Sequence, residues 1–171
     1  MKPVKTILIV DDEVNLRRSL SLILQRAGYQ IATAESAQEA LRLLESGPFN
    51  LVILDLKMPG ISGLDLLPQL VRIYPDMPIA MLTAHATLES AIEAIEKGAC
   101  DYILKPINPM QMIARLETIM TSSDQARRRR EILSEMHNLI NELGQQLDDV
   151  SAEPGNSSTP TSSLTGEIHG P

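Results

Sequence analysis

Six polar residues of this chain follow directly on short apolar runs. Asp11, Asp12 and Glu13 come after Thr6–Val10, Asp55 after Leu51–Leu54, Thr83 after Ile79–Leu82 and Lys105 after Tyr102–Leu104. Carboxylates crowded onto one rim raise one another's pKa unless a cation neutralises them. A hard divalent ion answers that need, and Mg²⁺ typically keeps several waters while using one or two carboxylates and a phosphate oxygen. The set therefore suits phosphoryl transfer: a metal and Lys105 spread the charge of the moving group, and Asp55 attacks it as a carboxylate nucleophile. Taken singly, each residue has a duller reading, because an Asp after a strand is commonly a turn or cap residue and Lys-Pro a solvated loop. Their joint placement decides the matter, since chance would scatter them over both ends of a sheet.

The apolar runs read as strands and the longer segments between them as helices, with apolar positions recurring every three or four residues. Five such alternations between residues 5 and 120 predict βαβ units around a parallel sheet. The expected strands are Thr6–Val10, Gln30–Ala34, Leu51–Leu54, Ile79–Leu82 and Tyr102–Leu104. In an open parallel sheet ligands settle outside the carboxyl ends of the strands, so the six polar residues fall where chemistry belongs. A first helix near Val14–Ala27 should stop at Gly28. Ser36 with Glu39 reads as a capping box opening a helix to about Glu45. Met58-Pro59-Gly60 and Ser62-Gly63 form a loop, Tyr74-Pro75-Asp76-Met77-Pro78 precedes the fourth strand, and Leu88–Lys97 and Pro109–Met120 supply the last two helices of the domain.

Beyond Met120 the polar stretch Thr121-Ser122-Ser123-Asp124 predicts a break, with Ser122 and Gln125 capping a separate helix. That helix, over 123–150, carries Ile132, Met136, Leu139, Ile140, Leu143, Leu147 and Val150 as one apolar stripe, short for a coiled coil and weakened by Gly144 and Gln146. It is expected to dimerise or to bind a partner. Arg127–Arg130 is read as a solvated helix face, because Glu131, Glu135 and Glu142 follow on the same helix. Ser, Thr, Gly and Pro dominate 151–171, and a segment that buries so little cannot offset the entropy of ordering it, so a disordered tail is expected there.

Apolar residues make up 43% of the 171 but aromatics only 2%, so Leu, Ile, Val, Ala and Met must fill the core. The formal charge of −7 disfavours non-specific attraction to nucleic acid or anionic lipid, and direct DNA binding is not expected. One cysteine, Cys100, makes neither an internal disulfide nor a thiolate metal cage. The short apolar run at the N-terminus ends in three acids, too brief for a signal peptide, and no run is long enough to span a bilayer. A cytoplasmic protein without a membrane partner is expected.

Taken together, Asp11-Asp12-Glu13 after Ile7-Leu8-Ile9-Val10, Asp55-Leu56-Lys57-Met58-Pro59-Gly60, Thr83-Ala84, and Asp101-Tyr102 through Lys105-Pro106 resemble, in order and spacing, the receiver domains of bacterial two-component response regulators. The likeness covers 1–122, and Thr83–Lys105, with His85, Ala91, Ala94, Gly98 and Ala99, is most similar to receivers of the nitrogen-regulator type. It implies a flavodoxin-like (βα)5 doubly wound parallel sheet, order 2-1-3-4-5, with a C-terminal helical extension. It implies a phosphoprotein in a phosphorelay, in which a sensor histidine kinase phosphorylates Asp55. Asp12, Asp55 and the backbone carbonyl of Lys57 would hold Mg²⁺ and Asp11 would reach it through water. Lys105 would pair with the phosphate, its bond to Pro106 often being cis in the family. Thr83 would donate its hydroxyl to a phosphate oxygen, and Tyr102 would swing inward when Thr83 moves. The output surface would lie around Ala84–Tyr102 and Pro109–Met120.

Tyr102 also reads as a half-packed strand residue, but in a chain with three Tyr and one Phe the switch role is preferred. Cys100 and His85 are expected to be structural or solvent-facing, and Met58, Met77, Met81, Met110 and Met112 to be core filler or interface. A haloacid-dehalogenase-type phosphatase would need a second Asp two residues after Asp55, where this chain has Lys57. A flavodoxin-like flavin binder would want a hydroxyl- and glycine-rich loop where this chain has three acids. Chemistry is thus expected only on Asp55 itself, by self-phosphorylation and self-dephosphorylation. A nitrogen-type regulator would continue into an ATPase with a G-x-x-x-x-G-K-[ST] loop and a DNA-binding helix pair, and neither occurs here. Two alternatives stand beside the switch: a receiver fragment of a longer transcriptional regulator, or a docking and dimerisation module that works without phosphorylation.

Overall fold

The computed structural model describes residues 4–151, with backbone alone at 144 and 146–151. Ten elements follow one another: β1 (Thr6–Val10), α1 (Val14–Arg26), β2 (Gln30–Ala34), α2 (Ala37–Ser46), β3 (Leu51–Asp55), α3 (Gly63–Ile73), β4 (Ile79–Thr83), α4 (Leu88–Glu96), β5 (Asp101–Leu104) and α5 (Pro109–Ser151). The strands are all parallel in the order β2-β1-β3-β4-β5. This is the doubly wound sheet expected from the sequence, with each strand within one residue of its predicted bounds.

The three central strands are apolar but for Thr6, Asp55 and Thr83 at their ends, because both of their faces are covered. Alternate residues serve opposite sides. Leu8, Val10, Val52, Leu54, Ile79 and Met81 pack with Leu44, Leu66, Leu70 and Ala94 of α2, α3 and α4. Ile7, Ile9, Leu51, Ile53, Ala80 and Leu82 pack with Leu20, Leu24, Met112, Leu116 and Met120 of α1 and α5. Met58, Met81 and Met112 are buried core filler, whereas Met110 is 75% exposed.

Local signals end the helices. Gly28, at φ +95°, follows α1 in the left-handed region that glycine adopts without strain. The Ser36 hydroxyl accepts the Glu39 N–H at 3.3 Å, but the Glu39 carboxylate accepts from Glu35 N–H and not from Ser36, so the expected capping box is only half formed. A reciprocal box occurs instead at α4, between Thr87 and Ser90. Inside α3, Pro68 has no N–H to give the carbonyl of Leu64 four residues back. Lys97, next to α4, donates its ammonium to that carbonyl at 3.2 Å.

The expected break at Thr121–Asp124 does not occur, for α5 runs unbroken through it. These residues include neither Gly nor Pro, and Thr, Ser and Asp each cost a helix only a fraction of about 1 kcal/mol. Their side chains serve tertiary contacts instead of a new cap: Ser123 donates to the Asp76 carbonyl at 3.1 Å, and Asp124 takes the Lys5 ammonium at 2.6 Å. Arg130 pairs with Asp76 at 2.6 Å. A first compact unit ends at Arg130 and a second begins at Glu131. In the second, Ile132, Leu133, Met136, Leu139, Ile140 and Leu143 are each more than half exposed. The expected tail, apart from the backbone of Ser151, lies outside the described residues, as do the side chains of Leu147 and Val150. Among the described residues no helix is long and apolar enough to cross a membrane.

Candidate functional site

The sheet order reverses direction between β1 and β3, and the crevice at such a point lies beyond the strands' carboxyl ends. Asp11 follows β1 and Asp55 is the last residue of β3, and both are buried, at 2% and 7% exposure. The Lys105 ammonium, arriving from the end of β5, bridges them at 2.6 Å to Asp11 Oδ2 and 2.9 Å to Asp55 Oδ1. Each carboxylate directs its other oxygen to a backbone donor two residues on. Glu13 N–H donates to Asp11 Oδ1 at 2.8 Å and Lys57 N–H to Asp55 Oδ2 at 2.9 Å. The two side chains are thereby fixed in rotation as well as position.

Two carboxylates share one ammonium, so the buried cluster carries one net negative charge. Burial raises the Asp55 pKa above the usual carboxylate value; the Lys105 hydrogen bond and charge pull it down, and the nearby Asp11 pushes it up again. Burial would lower the Lys105 pKa, but hydrogen bonds and attraction from both Asp11 and Asp55 outweigh it and hold the ammonium above the ordinary lysine value. The asymmetry has a simple cause. Lys105 has two oppositely charged partners, while Asp55 has a share of one, with a backbone N–H and a like charge beside it.

Thr83 ends β4 and is 1% exposed. It is one residue beyond Leu82, the register partner of Asp55, and its carbonyl accepts Lys105 N–H at 2.9 Å. Its Oγ1 accepts His85 N–H at 3.1 Å, which occupies a lone pair and leaves the hydroxyl proton for an incoming oxygen. The Lys105–Pro106 peptide is cis. Asp11, Asp55, Thr83 and Lys105 thus stand on one rim. Asp12 and Glu13 are exposed beside it, outside the Lys105 cluster, and Lys57 is exposed with its backbone turned to Asp55. Tyr102 is half-buried. Cys100 and His85 are exposed.

Two contributors escaped the sequence. Arg17, on α1, donates Nη1 to the Asp11 carbonyl at 2.6 Å with its side chain only 13% exposed, and its other terminal nitrogen lies 3.7 Å from Glu35. An arginine in a helix gives no advance sign of this. Gly63, read as part of a loop, is the first residue of α3, and a Cβ there would lie 1.9 Å from the Asp55 carbonyl oxygen. Only the absence of that carbon lets α3 start so near the strand end, where Gly63 N–H donates to the Leu56 carbonyl at 2.9 Å.

Comparison with known proteins bears on this site. The family model described as the response regulator receiver domain matches residues 7–117. The phosphate regulon transcriptional regulatory protein PhoB of Pseudomonas aeruginosa is 41% identical over 118 residues, which are 68% of this chain and 52% of that protein. The chain thus spans about half the length of this relative. A CheY-like response regulator receiver domain protein from Methanospirillum hungatei superposes with a TM-score of 0.70 at 33% identity, covering 72% of this chain and 99% of that one. NtrX from Brucella abortus gives 0.72 at 32% identity over 76% of this chain and 30% of that one, in keeping with the nitrogen-regulator likeness. With the matched segment containing Asp11, Asp55, Thr83 and Lys105 in the arrangement just described, the chain belongs to the response regulator receiver family.

Proposed function

We propose that this chain is a phosphoryl-driven switch in which Asp55 accepts a phosphoryl group from the phosphohistidine of a sensor histidine kinase. The observation that carries the reading is the Lys105 ammonium bridging Asp11 and Asp55 at the point where the sheet reverses direction. In the transfer, a bond forms between phosphorus and an Asp55 carboxylate oxygen, and the phosphorus–nitrogen bond to the kinase imidazole breaks, its electron pair returning to the ring. Lys105 stays within reach of Asp55 and offsets the charge that arrives. Asp11 keeps Lys105 in place, and Thr83 offers its proton to a phosphoryl oxygen. Loss of the group to water restores the carboxylate; both steps occur on Asp55 itself.

Mg²⁺ is the cofactor we assign. Asp11, Asp12, Asp55 and the Lys57 carbonyl are all hard oxygen donors, and the pair Asp11 and Asp55 outnumbers its one ammonium. Such donors suit an ion that uses one or two protein carboxylates and keeps its waters. When bound, it would neutralise charge between Asp55 and the entering phosphoryl group.

Incubating the full chain with Mg²⁺ and acetyl phosphate and mapping the product by mass spectrometry tests the reading. A base-labile phosphate on the peptide holding Asp55 is expected. An unmodified chain, or one still modified after Asp55→Ala, overturns it.

A second reading concerns the output. The exposed apolar side chains from Ile132 to Leu143 support a homodimer formed through the helical extension within 109–150. Sedimentation of the full chain should give a dimer that Leu139→Glu converts to a monomer, and equal monomeric masses would rule the dimer out. Whether the receiver serves a longer transcriptional regulator, as the name of the relative suggests for that protein, belongs with this second reading.

A further inference from the structure

Tyr102 and α4 meet through one side chain that the switch reading does not use. Ser90, in the first turn of α4, has its Oγ 2.8 Å from Tyr102 Oη. The same oxygen accepts Thr87 N–H at 3.0 Å, lies 3.2 Å from Thr87 Oγ1 and lies 3.0 Å from the Thr87 carbonyl oxygen. Ser90 N–H in turn donates to Thr87 Oγ1 at 3.1 Å, which completes the cap of the helix.

A serine hydroxyl has one proton and two lone pairs. Thr87 N–H occupies one lone pair, and the Thr87 carbonyl can take the proton. The remaining lone pair has two claimants, the phenol of Tyr102 and the hydroxyl of Thr87. Four neighbours compete for three places. When Tyr102 leaves, Thr87 Oγ1 takes over the freed lone pair, and the half-buried phenol meets water. No buried polar group is orphaned, so the release avoids the penalty that makes most broken hydrogen bonds expensive.

The location gives this a purpose. Thr87 closes a loop that begins after Thr83, whose Oγ1 accepts the His85 N–H at 3.1 Å. The four residues 84–87 are therefore tied at one end to the hydroxyl that faces the phosphoryl site and at the other to the pair Ser90 and Tyr102. A pull on Thr83 is transmitted along a short tether to the residue that holds the ring.

We propose that Ser90 is a positioning residue of the switch, its hydroxyl shared between the Thr87 cap and the Tyr102 phenol so that the ring is held against α4 and released at low cost. This rests on Thr83 and Tyr102 acting as switch residues.

The test is ¹⁹F NMR of the full chain labelled with 3-fluorotyrosine, the Tyr102 resonance being identified by its loss in Tyr102→Phe. In unphosphorylated Ser90→Ala, that resonance is expected to move toward the position it takes in the wild type after treatment with Mg²⁺ and acetyl phosphate. Ser90→Thr, which keeps a hydroxyl, should leave it in place. Initial phosphorylation of Ser90→Ala should be faster, but by only about twofold, less than the roughly fivefold worth of an ordinary hydrogen bond because Thr87 already competes for the same lone pair, and that gain should vanish in the Tyr102→Phe background. An unmoved Tyr102 resonance in Ser90→Ala overturns the proposal, as does a rate gain that persists without the phenol, which would mean that Ser90 acts through the helix cap alone. A resonance that moves in Ser90→Ala but ignores phosphorylation upholds the hold on Tyr102 and refutes the switch reading instead.

Discussion

Replacing Gly63 with alanine perturbs Asp55 without touching any group that takes part in its chemistry. The new methyl would stand 1.9 Å from the Asp55 carbonyl oxygen and 2.9 Å from its carbonyl carbon. A carbon and an oxygen approach to roughly 3.3 Å at the near limit, so the start of α3 and the end of β3 must part by about 1.4 Å. Overpacking of this kind costs roughly 1–3 kcal/mol. Loss of the 2.9 Å bond from Gly63 N–H to the Leu56 carbonyl adds about 1 kcal/mol. Alanine's better helix propensity returns at most about 1 kcal/mol, leaving a net loss of about 1–3 kcal/mol. A displacement near an ångström at a reacting group can slow the reaction by about 100-fold. Urea denaturation of the full chain reads the first effect, and initial incorporation of base-labile phosphate from acetyl phosphate reads the second. Gly47→Ala is the control, because no atom lies within 4 Å of a Cβ there and its φ of 175° is open to any residue, so both readouts should match the wild type. A Gly63→Ala protein with wild-type stability and wild-type rate would refute the close-approach argument.

The charges make further predictions. Burial gives Asp55 a raised pKa, so its contribution to stability is present below the ordinary value of 3.8 and is lost as pH rises through the folded value. Asp55→Asn should therefore raise the urea midpoint at neutral pH, with the gain shrinking as pH falls toward 3.8, and a lowered midpoint would contradict the sign. Lys105 also has a raised pKa, so the stability it lends is full below 10.5 and fades only in alkali above that; a midpoint that falls between pH 8 and 10 through this residue would be the wrong result. Lys105→Met leaves two buried carboxylates unpaired and should cost about 3–5 kcal/mol in the same assay at neutral pH, while abolishing phosphorylation. Mg²⁺ should raise the thermal midpoint of the full chain by mass action. Asp12→Asn should weaken that response, and an unchanged Mg²⁺ titration in calorimetry would remove Asp12 from the ligand set.

Much of the fold could be read from the residues because the signals are local. An apolar run such as Ile7-Leu8-Ile9-Val10 has both faces to bury, and Gly28 marks where a helix must turn. The sequence points to a break at Thr121–Asp124 that the helix does not have, because polar residues in a helix look alike whether they cap its end or reach a distant partner. Ser123 and Asp124 are bound to Asp76 and Lys5, far away in the chain, and no local pattern announces such pairs. The half-formed box at Ser36 and the full one at Thr87 differ for a related reason. Which backbone N–H a side chain reaches depends on the path of the loop before it.

For the site itself, the sequence alone supplied the chemical cast: Asp11, Asp12, Asp55, Thr83 and Lys105, each at or just past the carboxyl end of a strand, where a parallel sheet collects reactive groups. The tertiary structure decided which of them act together. It buried Asp11 and Asp55 around one ammonium and left Asp12 outside, and it recruited Arg17, Gly63 and Ser90 from helices where nothing about their spacing sets them apart. Identity and order along the chain settle what a residue can do. Distance and burial, which arise only when separate strands and helices pack, settle what it faces.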